Sequence, residues 1–405
     1  MPVRALSRPP SRRCPSATRT DDHAMPISEI SPAEARARRR DGAVLIDVRE
    51  AHERALGMAE GARGVAMGEL IANPVAYLPD GDVEVLLICQ GGMRSLRTAE
   101  ALAAQGFGRL CSVEGGTSRW IAESLPIEMP EGELDADFAE RYSRHLRLPQ
   151  VGVDGQRRLE AARVLMIGAG GLGSPAAYYL AAAGIGHLRI ADDDVVDRSN
   201  LQRQILHTEA RIGVAKVESA AQALSALNPR VRIEPVRERV TAANVDRLLD
   251  GIDVVVDGAD NFAARYLLND ACVHHGKPLV YGAVHRFEGQ ASVFDAGRRR
   301  GAAPCYRCLF PEAPPPEAAP NCAEAGVLGV LPGLVGLIQA TEAIKLILGI
   351  GNTLAGRLLH IDALSMRFRE TRLPVDPGCP TCAPGRTFTG YVDEAVACAS
   401  DPDSR

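Results

Sequence analysis

The sequence predicts an α/β protein built as two units, the second a doubly wound, mostly parallel sheet with a nucleotide-binding turn. Three observations carry that expectation. Short apolar runs alternate with segments of helical spacing along most of the chain. A polar, breaker-rich stretch, Pro130–Asp135 (PEGELD), interrupts the alternation. Glycine-rich turns stand where a strand gives way to a helix, at Cys89–Ser95 and Gly168–Gly173. The expected boundaries are a disordered tail over 1–25, a first domain over 26–130, a linker over 131–136, a second domain over 137–385 and a tail over 386–405.

In the first unit Ala43–Val48 (AVLIDV) and Val83–Cys89 (VEVLLIC) read as buried strands, and Ser95–Gln105 as a helix stopped by Gly106. In the second unit Arg163–Ile167 is a strand and Ser174–Ala183 a helix closed by Gly184. His187–Ala191 is the next strand, and Val214–Leu227 a helix that stops before Pro229. Asp253–Asp257 (DVVVD) and Pro278–Tyr281 continue the alternation. Pro311–Pro320 has no place inside a helix or strand and reads as a mobile segment. The apolar stretch Val327–Ala340 carries glycines and a proline and falls short of a membrane span.

With 46% hydrophobic and 24% charged residues in 405, the composition is that of a globular protein. A net charge of -5 gives no electrostatic reason to expect nucleic acid or an anionic membrane as partner. Ten cysteines, four of them in two Cys-x-x-Cys pairs, point to metal and thiol chemistry in a reducing compartment, the cytoplasm. The first two dozen residues are rich in Arg, Ser and Pro, with no acid before Asp21. That is transit-leader composition, but no apolar stripe at helical spacing runs through it, which favours a tail or a start at Met25.

Cys89–Ser95 reads Cys-Gln-Gly-Gly-Met-Arg-Ser. A loop at a helix N-terminus turns its N–H groups inward and holds an anion, here a thiolate or persulfide on Cys89. Gly91 and Gly92 allow the curvature, and Arg94 adds a fixed positive charge. A phosphatase uses a similar cradle, but with one more residue between Cys and Arg; the shorter loop favours bound sulfur. The segment resembles the rhodanese family of sulfurtransferases, through Leu45–Glu50 (LIDVRE), the Cys89 loop and Val113–Trp120 (VEGGTSRW). Gly57–Ala62 (GMAEGA) departs from the family's Gly-His-Ile-Pro-Gly-Ala.

Gly168-Ala-Gly-Gly-Leu-Gly173, with Asp192 near the end of the next strand, fits NAD as well as ATP. Residues further along the chain decide between the two. Arg203, within Ser199–Gln204 (SNLQRQ), and Lys216 suit neutralisation of a triphosphate, and Asp260, beside Asn261, suits Mg²⁺ on the departing pyrophosphate. Hydride transfer needs none of these, and there is no Gly-x-x-x-x-Gly-Lys-Ser/Thr loop. Taken singly, Arg203 and Lys216 also read as solvated helix charges, and Asp260 as the N-cap of a helix at Phe262–Asn269.

In this order, with Arg141–His145 (RYSRH), Gly282–Gln290 (GAVHRFEGQ) and Asn321–Gly329 (NCAEAGVLG), these motifs resemble the ubiquitin-activating superfamily. The nearest branch is that of molybdopterin-synthase adenylyltransferases and the related thiamine and tRNA-thiolation enzymes. The resemblance implies that Gly171 contacts the nucleotide phosphates and Asp192 the ribose. It implies that Asn200, Arg203 and Lys216 bind the triphosphate, with Ser199, Leu201 and Gln202 lining the site. It places Mg²⁺ on Asp260 with Asn261 nearby, and sends Arg144 into a neighbouring subunit's site, hence a homodimer.

Cys305-x-x-Cys308 and Cys379-x-x-Cys382 form the ligand set of a structural Zn²⁺ site, with two redox pairs as the alternative. By family resemblance Cys322 forms a thioester or acyl-disulfide with a carrier, or is a spectator. Cys14, Cys111, Cys272 and Cys398 have no assigned role, Cys272 reading as core. The expected function is ATP-dependent adenylation of the C-terminal glycine of a ubiquitin-like sulfur carrier ending in Gly-Gly, foremost the molybdopterin synthase small subunit. A persulfide on Cys89, charged from thiosulfate or a cysteine desulfurase, then gives a thiocarboxylate. The alternatives are a modifier-activating enzyme that stops at the adenylate or thioester, its first unit regulatory, and a non-enzymatic scaffold for the carrier.

Overall fold

Apolar runs of four or five residues, buried on both faces, supply the central strands of two sheets, one in each of two units that meet between Asp135 and Ala136. The computed structural model describes residues 27–79, 83–128, 135–312 and 326–391. The expected N-terminal tail, most of the linker, most of the proline-rich run, Cys14, Cys322 and Cys398 lie outside the described residues. Ala136, expected in the linker, begins the helix Ala136–Arg141 of the second unit.

The first unit contains β1 (Ser28–Ile30), β2 (Val44–Asp47), β3 (Met58–Ala59), β4 (Arg63–Gly64), β5 (Val85–Ile88), β6 (Leu110–Val113) and β7 (Ile127–Glu128). Five of them form a parallel sheet in the order β1-β6-β5-β2-β4, and β3 pairs antiparallel with β7. The helix Met93–Ala104 comes after β5 and buries Ser95, Thr98, Ala99 and Leu102, the spacing of one helical face. Trp120, fully buried, donates from its indole N–H to the Pro126 carbonyl at 2.8 Å and so closes the unit's end.

The Leu45–Glu50 motif contributes a buried ion pair. Asp47 is inaccessible and Arg49 nearly so, and their side chains meet at 2.6 Å. Arg49 also donates to the Gly57 carbonyl at 2.7 Å and to Gln90 Oε1 at 3.1 Å, which ties the divergent Gly57–Ala62 segment to the cysteine loop.

The second unit contains β8 (Arg163–Ile167), β9 (His187–Ala191), β10 (Arg232–Val236), β11 (Val254–Asp257), β12 (Leu279–His285), β13 (Glu288–Phe294), β14 (Arg357–Asp362) and β15 (Arg367–Arg372). The parallel part runs β10-β9-β8-β11-β12, the order of a doubly wound fold. The register aligns Ile167 with Ala191 on one side and Asp257 on the other, so Gly168, Asp192 and Gly258 leave the sheet at one level. That level, between β8 and β11, is where the strand order reverses and where such sheets bind ligands.

The expected wholly alternating pattern ends at β12. Gly282–Gln290 is a hairpin turning on Arg286 and Phe287, with Arg286 at φ 52, and β13, β14 and β15 extend the sheet antiparallel. The apolar stretch expected to end near Ala340 continues as a helix over Val330–Leu348, 19 residues, long and apolar enough to cross a membrane. Here it buries Leu331, Val335, Ala340, Ala343 and Leu348 in the same core as β8, β11 and β12. The C-terminal tail also starts later than expected. The Phe388 ring stacks on His274 with centroids 3.9 Å apart, and the Tyr391 hydroxyl donates to Asp246, so aromatic contacts hold the chain to the unit through Tyr391.

Breaking the Asp47–Arg49 pair leaves an uncompensated buried carboxylate, a loss of about 3–5 kcal/mol. Arg49→Ala is expected to lower the unfolding midpoint of the first unit in urea while the second unit's transition stays in place. A first-unit midpoint equal to that of the parent chain would refute this.

Candidate functional site

Cys89 is the residue after β5, and its sulfur is almost inaccessible. The loop wraps it with donors. The Gly92 N–H reaches Sγ at 3.2 Å and the Ser95 hydroxyl at 3.5 Å. The single Ser95 hydroxyl proton has its shorter contact with the Gly92 carbonyl, at 2.8 Å, and the Ser95 oxygen receives from Ser112 at 3.0 Å. Gly92, at φ 94, caps the helix Met93–Ala104. The loop thus curves round the sulfur as a nest of one backbone N–H, that of Gly92, and one hydroxyl, that of Ser95.

The Val113–Trp120 motif buttresses this nest. It supplies the helix Gly116–Ala122, whose Thr117 and Ser118 N–H groups donate to the Cys89 and Gln90 carbonyls at 2.8 and 3.0 Å. A Cβ on Gly116 would lie 2.1 Å from the Cys89 carbonyl oxygen, so only glycine allows this approach. Gln90 is held by Arg49 on one side and by a 2.8 Å bond to the Ser118 hydroxyl on the other.

Arg94 does not sit among the groups that bond the sulfur. Its guanidinium grips Glu53 in a bidentate pair, both bonds 2.7 Å. The Arg94 hydrogen bond holds the Glu53 carboxyl at about 2, well below its ordinary value. The sequence reading missed Glu53, 41 positions away from Arg94 along the chain.

In the second unit the glycine loop leaves β8 and enters the helix Gly173–Ala183. Gly168, at φ 91, packs so closely that a Cβ would lie 2.6 Å from the Gly258 carbonyl oxygen, so the turn that carries Asp260 abuts the loop. Asp192 accepts from the Ala169 N–H at 2.8 Å and from the Asp194 N–H at 2.9 Å, and its remaining lone pairs can still accept hydroxyls. Gly171 faces Arg203 and Pro332: a Cβ there would lie 3.0 Å from Pro332 and 3.6 Å from the Arg203 stem.

The run from Ser199 is a tight turn capped by Asp197, which accepts from the Ser199 N–H at 2.8 Å and its hydroxyl at 2.6 Å. Asn200 accepts from the Asp197 N–H, and Arg203 donates to the Ser199 carbonyl at 3.1 Å. Leu201 is half-buried, and Gln202 lies against Gly329, the end of the Asn321–Gly329 motif. Lys216 is nearly buried and pairs with Asp194 at 2.7 Å, a partner the sequence reading did not name. Asp260 is exposed at the tip of its turn. The helix cap there is Asn261, which accepts from the Ala264 N–H at 2.9 Å and donates to Asp260 at 3.2 Å, so the capping alternative for Asp260 fails. Arg144 is exposed on the helix Ser143–Leu146, and among the described residues no hydrogen bond joins it to the glycine loop.

Beneath Asp260 a buried pair also escaped the sequence. Asp257 and Arg265 approach to 3.8 Å, and Arg265 donates to the carbonyls of Ala259 and Gly282 at 2.8 and 3.1 Å. Burial pushes the Asp257 carboxyl above its ordinary value, with Arg265 opposing.

The four cysteines of the two knuckles converge. Their sulfurs lie within 4.8 Å of one another, and the closest pairs cross between knuckles, Cys305 with Cys379 at 3.5 Å and Cys308 with Cys382 at 3.4 Å. Two separate redox pairs would bring each knuckle's own cysteines closest instead; Cys305 and Cys308 are 4.0 Å apart. Four thiolates about 2.3 Å from a tetrahedral ion stand about 3.8 Å from each other, which this cluster fits. Cys272 is buried in the core, where burial pushes its thiol up.

Residues 142–381 match the ThiF family, and residues 31–123 match the rhodanese-like domain. The chain is 54% identical over 271 residues to the SAMP-activating enzyme E1 of Haloferax volcanii, a match covering 67% of this chain and 98% of that protein. It is 51% identical over 255 residues to the probable adenylyltransferase/sulfurtransferase MoeZ of Mycobacterium tuberculosis, spanning 63% of this chain and 65% of the relative. The crystal structure of E. coli MccB with ATP aligns at a TM-score of 0.52 and 21% identity, over 60% of this chain and 74% of the other, a likeness of fold. The chain belongs to the ThiF family, and a rhodanese-like domain precedes its ThiF portion.

Proposed function

We propose that the second unit adenylates the C-terminal glycine of a ubiquitin-like sulfur carrier, and that the first unit supplies the sulfur from a persulfide on Cys89. The observation that carries the reading is the pairing, in one chain, of a sulfur atom held in an anion nest with a glycine loop at the switch point of a doubly wound sheet. The names of the two relatives, an activating enzyme E1 and an adenylyltransferase/sulfurtransferase, support both halves.

A carboxylate resists acylation because its leaving group is poor. Attack of the carrier's carboxylate on the α-phosphorus of ATP forms an acyl-adenylate and releases pyrophosphate. In this reading Gly171, Asn200, Arg203 and Lys216 bind the phosphates, and Asp192 the ribose. Ser199, Leu201 and Gln202 line the site. Asp260 would hold Mg²⁺, which lessens the charge on the departing pyrophosphate, with Asn261 fixing Asp260. Lys216 exchanges Asp194 for the more highly charged triphosphate.

The outer sulfur of the Cys89 persulfide then attacks the acyl carbon and AMP leaves, giving an acyl disulfide between carrier and Cys89. Cys322 is read as holding the carrier in a thioester or acyl-disulfide, or as a spectator; a second thiol attacks the Cys89 sulfur. It releases the carrier thiocarboxylate and forms a disulfide with Cys89, which an external thiol reduces. Fusion of the two units raises the effective concentration of one reactant for the other. The same reading includes a homodimer completed by Arg144, thiosulfate or a desulfurase persulfide as donor, and a cytoplasmic setting.

Two experiments test this. Asp260→Ala is expected to cut carrier-dependent pyrophosphate exchange by roughly a hundredfold or more, with thiosulfate sulfurtransferase activity retained. Cys89→Ser should do the reverse, and mass spectrometry after thiosulfate treatment should place one extra sulfur on the Cys89 peptide of the parent chain. Normal thiocarboxylate formation by Cys89→Ser would instead favour an activating enzyme with a regulatory first unit.

The cysteine cluster is proposed to bind one Zn²⁺ per chain through Cys305, Cys308, Cys379 and Cys382. Metal analysis of the purified protein should find that stoichiometry, and chelation should lower the melting temperature of the second unit, since binding and folding are coupled. Metal-free protein of undiminished stability would contradict the assignment.

A further inference from the structure

Ala169 is the second residue of the glycine loop, and its peptide groups are held from two directions. Its N–H donates to Asp192 Oδ2 at 2.8 Å, and its carbonyl oxygen lies 2.9 Å from Nε2 of His207. The Ser174 hydroxyl reaches the same carbonyl at 3.4 Å, a weaker contact. On the other side of the imidazole, Nδ1 lies 2.9 Å from the Ser219 hydroxyl. A carbonyl only accepts, so Nε2 bears the proton and Nδ1 receives the hydroxyl's. His207 is buried, and burial lowers its ionisation, which favours this neutral tautomer.

The three partners come from three segments of the nucleotide site. Ala169 belongs to the loop, His207 comes just after the Ser199–Gln204 run, and Ser219 lies in the first turn of the helix Lys216–Leu227. Peptide planarity gives the contact a direction. In a trans peptide the carbonyl and the following N–H point opposite ways. Drawing the Ala169 carbonyl toward a buried imidazole therefore turns the Gly170 N–H to the opposite side of the loop, where a phosphate oxygen can accept it.

We propose that His207 is a positioning residue of the nucleotide site: its Nε2–H bond to Ala169 sets the direction of the Gly170 N–H and fastens the glycine loop to the Lys216 helix, without touching the nucleotide. The proposal rests on the reading of this site as an ATP site. A residue that merely fills the core would act through its volume; this one acts through a single donor.

Glutamine and asparagine separate the two roles. In His207→Gln the side-chain amide nitrogen reaches the place of Nε2 and keeps the donor, whereas His207→Asn reaches only as far as Nδ1 and leaves the carbonyl without it. Binding of a non-hydrolysable ATP analogue with Mg²⁺ to the full-length chain is measured by calorimetry, beside the melting temperature. The expected result is affinity within about twofold of the parent for His207→Gln and about tenfold weaker for His207→Asn, one hydrogen bond's worth. In pyrophosphate exchange the loss should appear in the KM for ATP, with kcat little changed.

Equal affinities for parent and His207→Asn, or equal losses in both variants, overturn the proposal. If His207→Asn melts below the assay temperature, Ser219→Ala gives the same reading. Without the hydroxyl the Nδ1 lone pair is left unpaired in the interior and the ring loses one of its two anchors, so the bond to Ala169 loosens, affinity falls by roughly twofold or more, and an unchanged affinity overturns the proposal. A parent chain that binds no ATP overturns the site reading and this inference together. A parent that binds while the variants do not separate overturns the inference alone.

Discussion

Both sites of this chain depend on backbone meeting backbone more closely than any side chain permits. In the first unit Gly116 lets a helix N-terminus rest on the carbonyl of Cys89, and in the second Gly168 lets the glycine loop rest on the carbonyl of Gly258. Each contact joins the crossover loops of neighbouring parallel strands at their carboxyl ends, where N–H groups are left over from the following helix. The sheets fix the level of the loops, and the glycines fix the distance between them. The cysteine nest and the nucleotide turn result from those two restraints.

The charges share a common plan as well. Arg94 is gripped by Glu53 and Lys216 by Asp194, so two of the cations the sequence assigns to anionic ligands already have carboxylate partners, while Arg203 donates to the Ser199 carbonyl. Arg265 is held in the interior against Asp257. Such pairing keeps a long side chain near one rotamer and lets an arriving anion replace a carboxylate without building the geometry anew. In the first unit the buried Asp47–Arg49 pair supports the loop: Arg49 ends on Gln90, the residue beside Cys89.

What was legible in the sequence was whatever lies on consecutive residues. The cysteine loop, the glycine turn, the Ser199–Gln204 run and the two knuckles each read as a unit, because a loop that binds an anion or a metal uses neighbouring atoms. Glu53, Asp194 and His207 were not legible, since each acts on a group brought near by strand order. Glu53 bonds a residue 41 positions away and His207 one 38 positions away. The antiparallel extension of the sheet was also hidden. Gly282–Gln290 carries no Asn-Gly or Asp-Gly turn, and the hairpin turns instead on Arg286 in the left-handed region, which few sequences advertise. The tail was misplaced because two aromatic residues, Phe388 and Tyr391, anchor it without any periodicity.

The cysteine cluster has a topological meaning. With a metal ion on its four sulfurs it would clasp Cys305 to Cys379, 74 positions onward, and the chain between them would make a closed circuit that includes the helix Val330–Leu348 and the strands β14 and β15. A protease that severs one peptide bond inside the circuit would not detach a fragment, because both cut ends remain fastened through the sulfurs as long as the clasp is shut. Backbone integrity and structural integrity would thereby be uncoupled across this third of the second unit, and a nicked molecule would run as two pieces only after denaturation has opened the clasp.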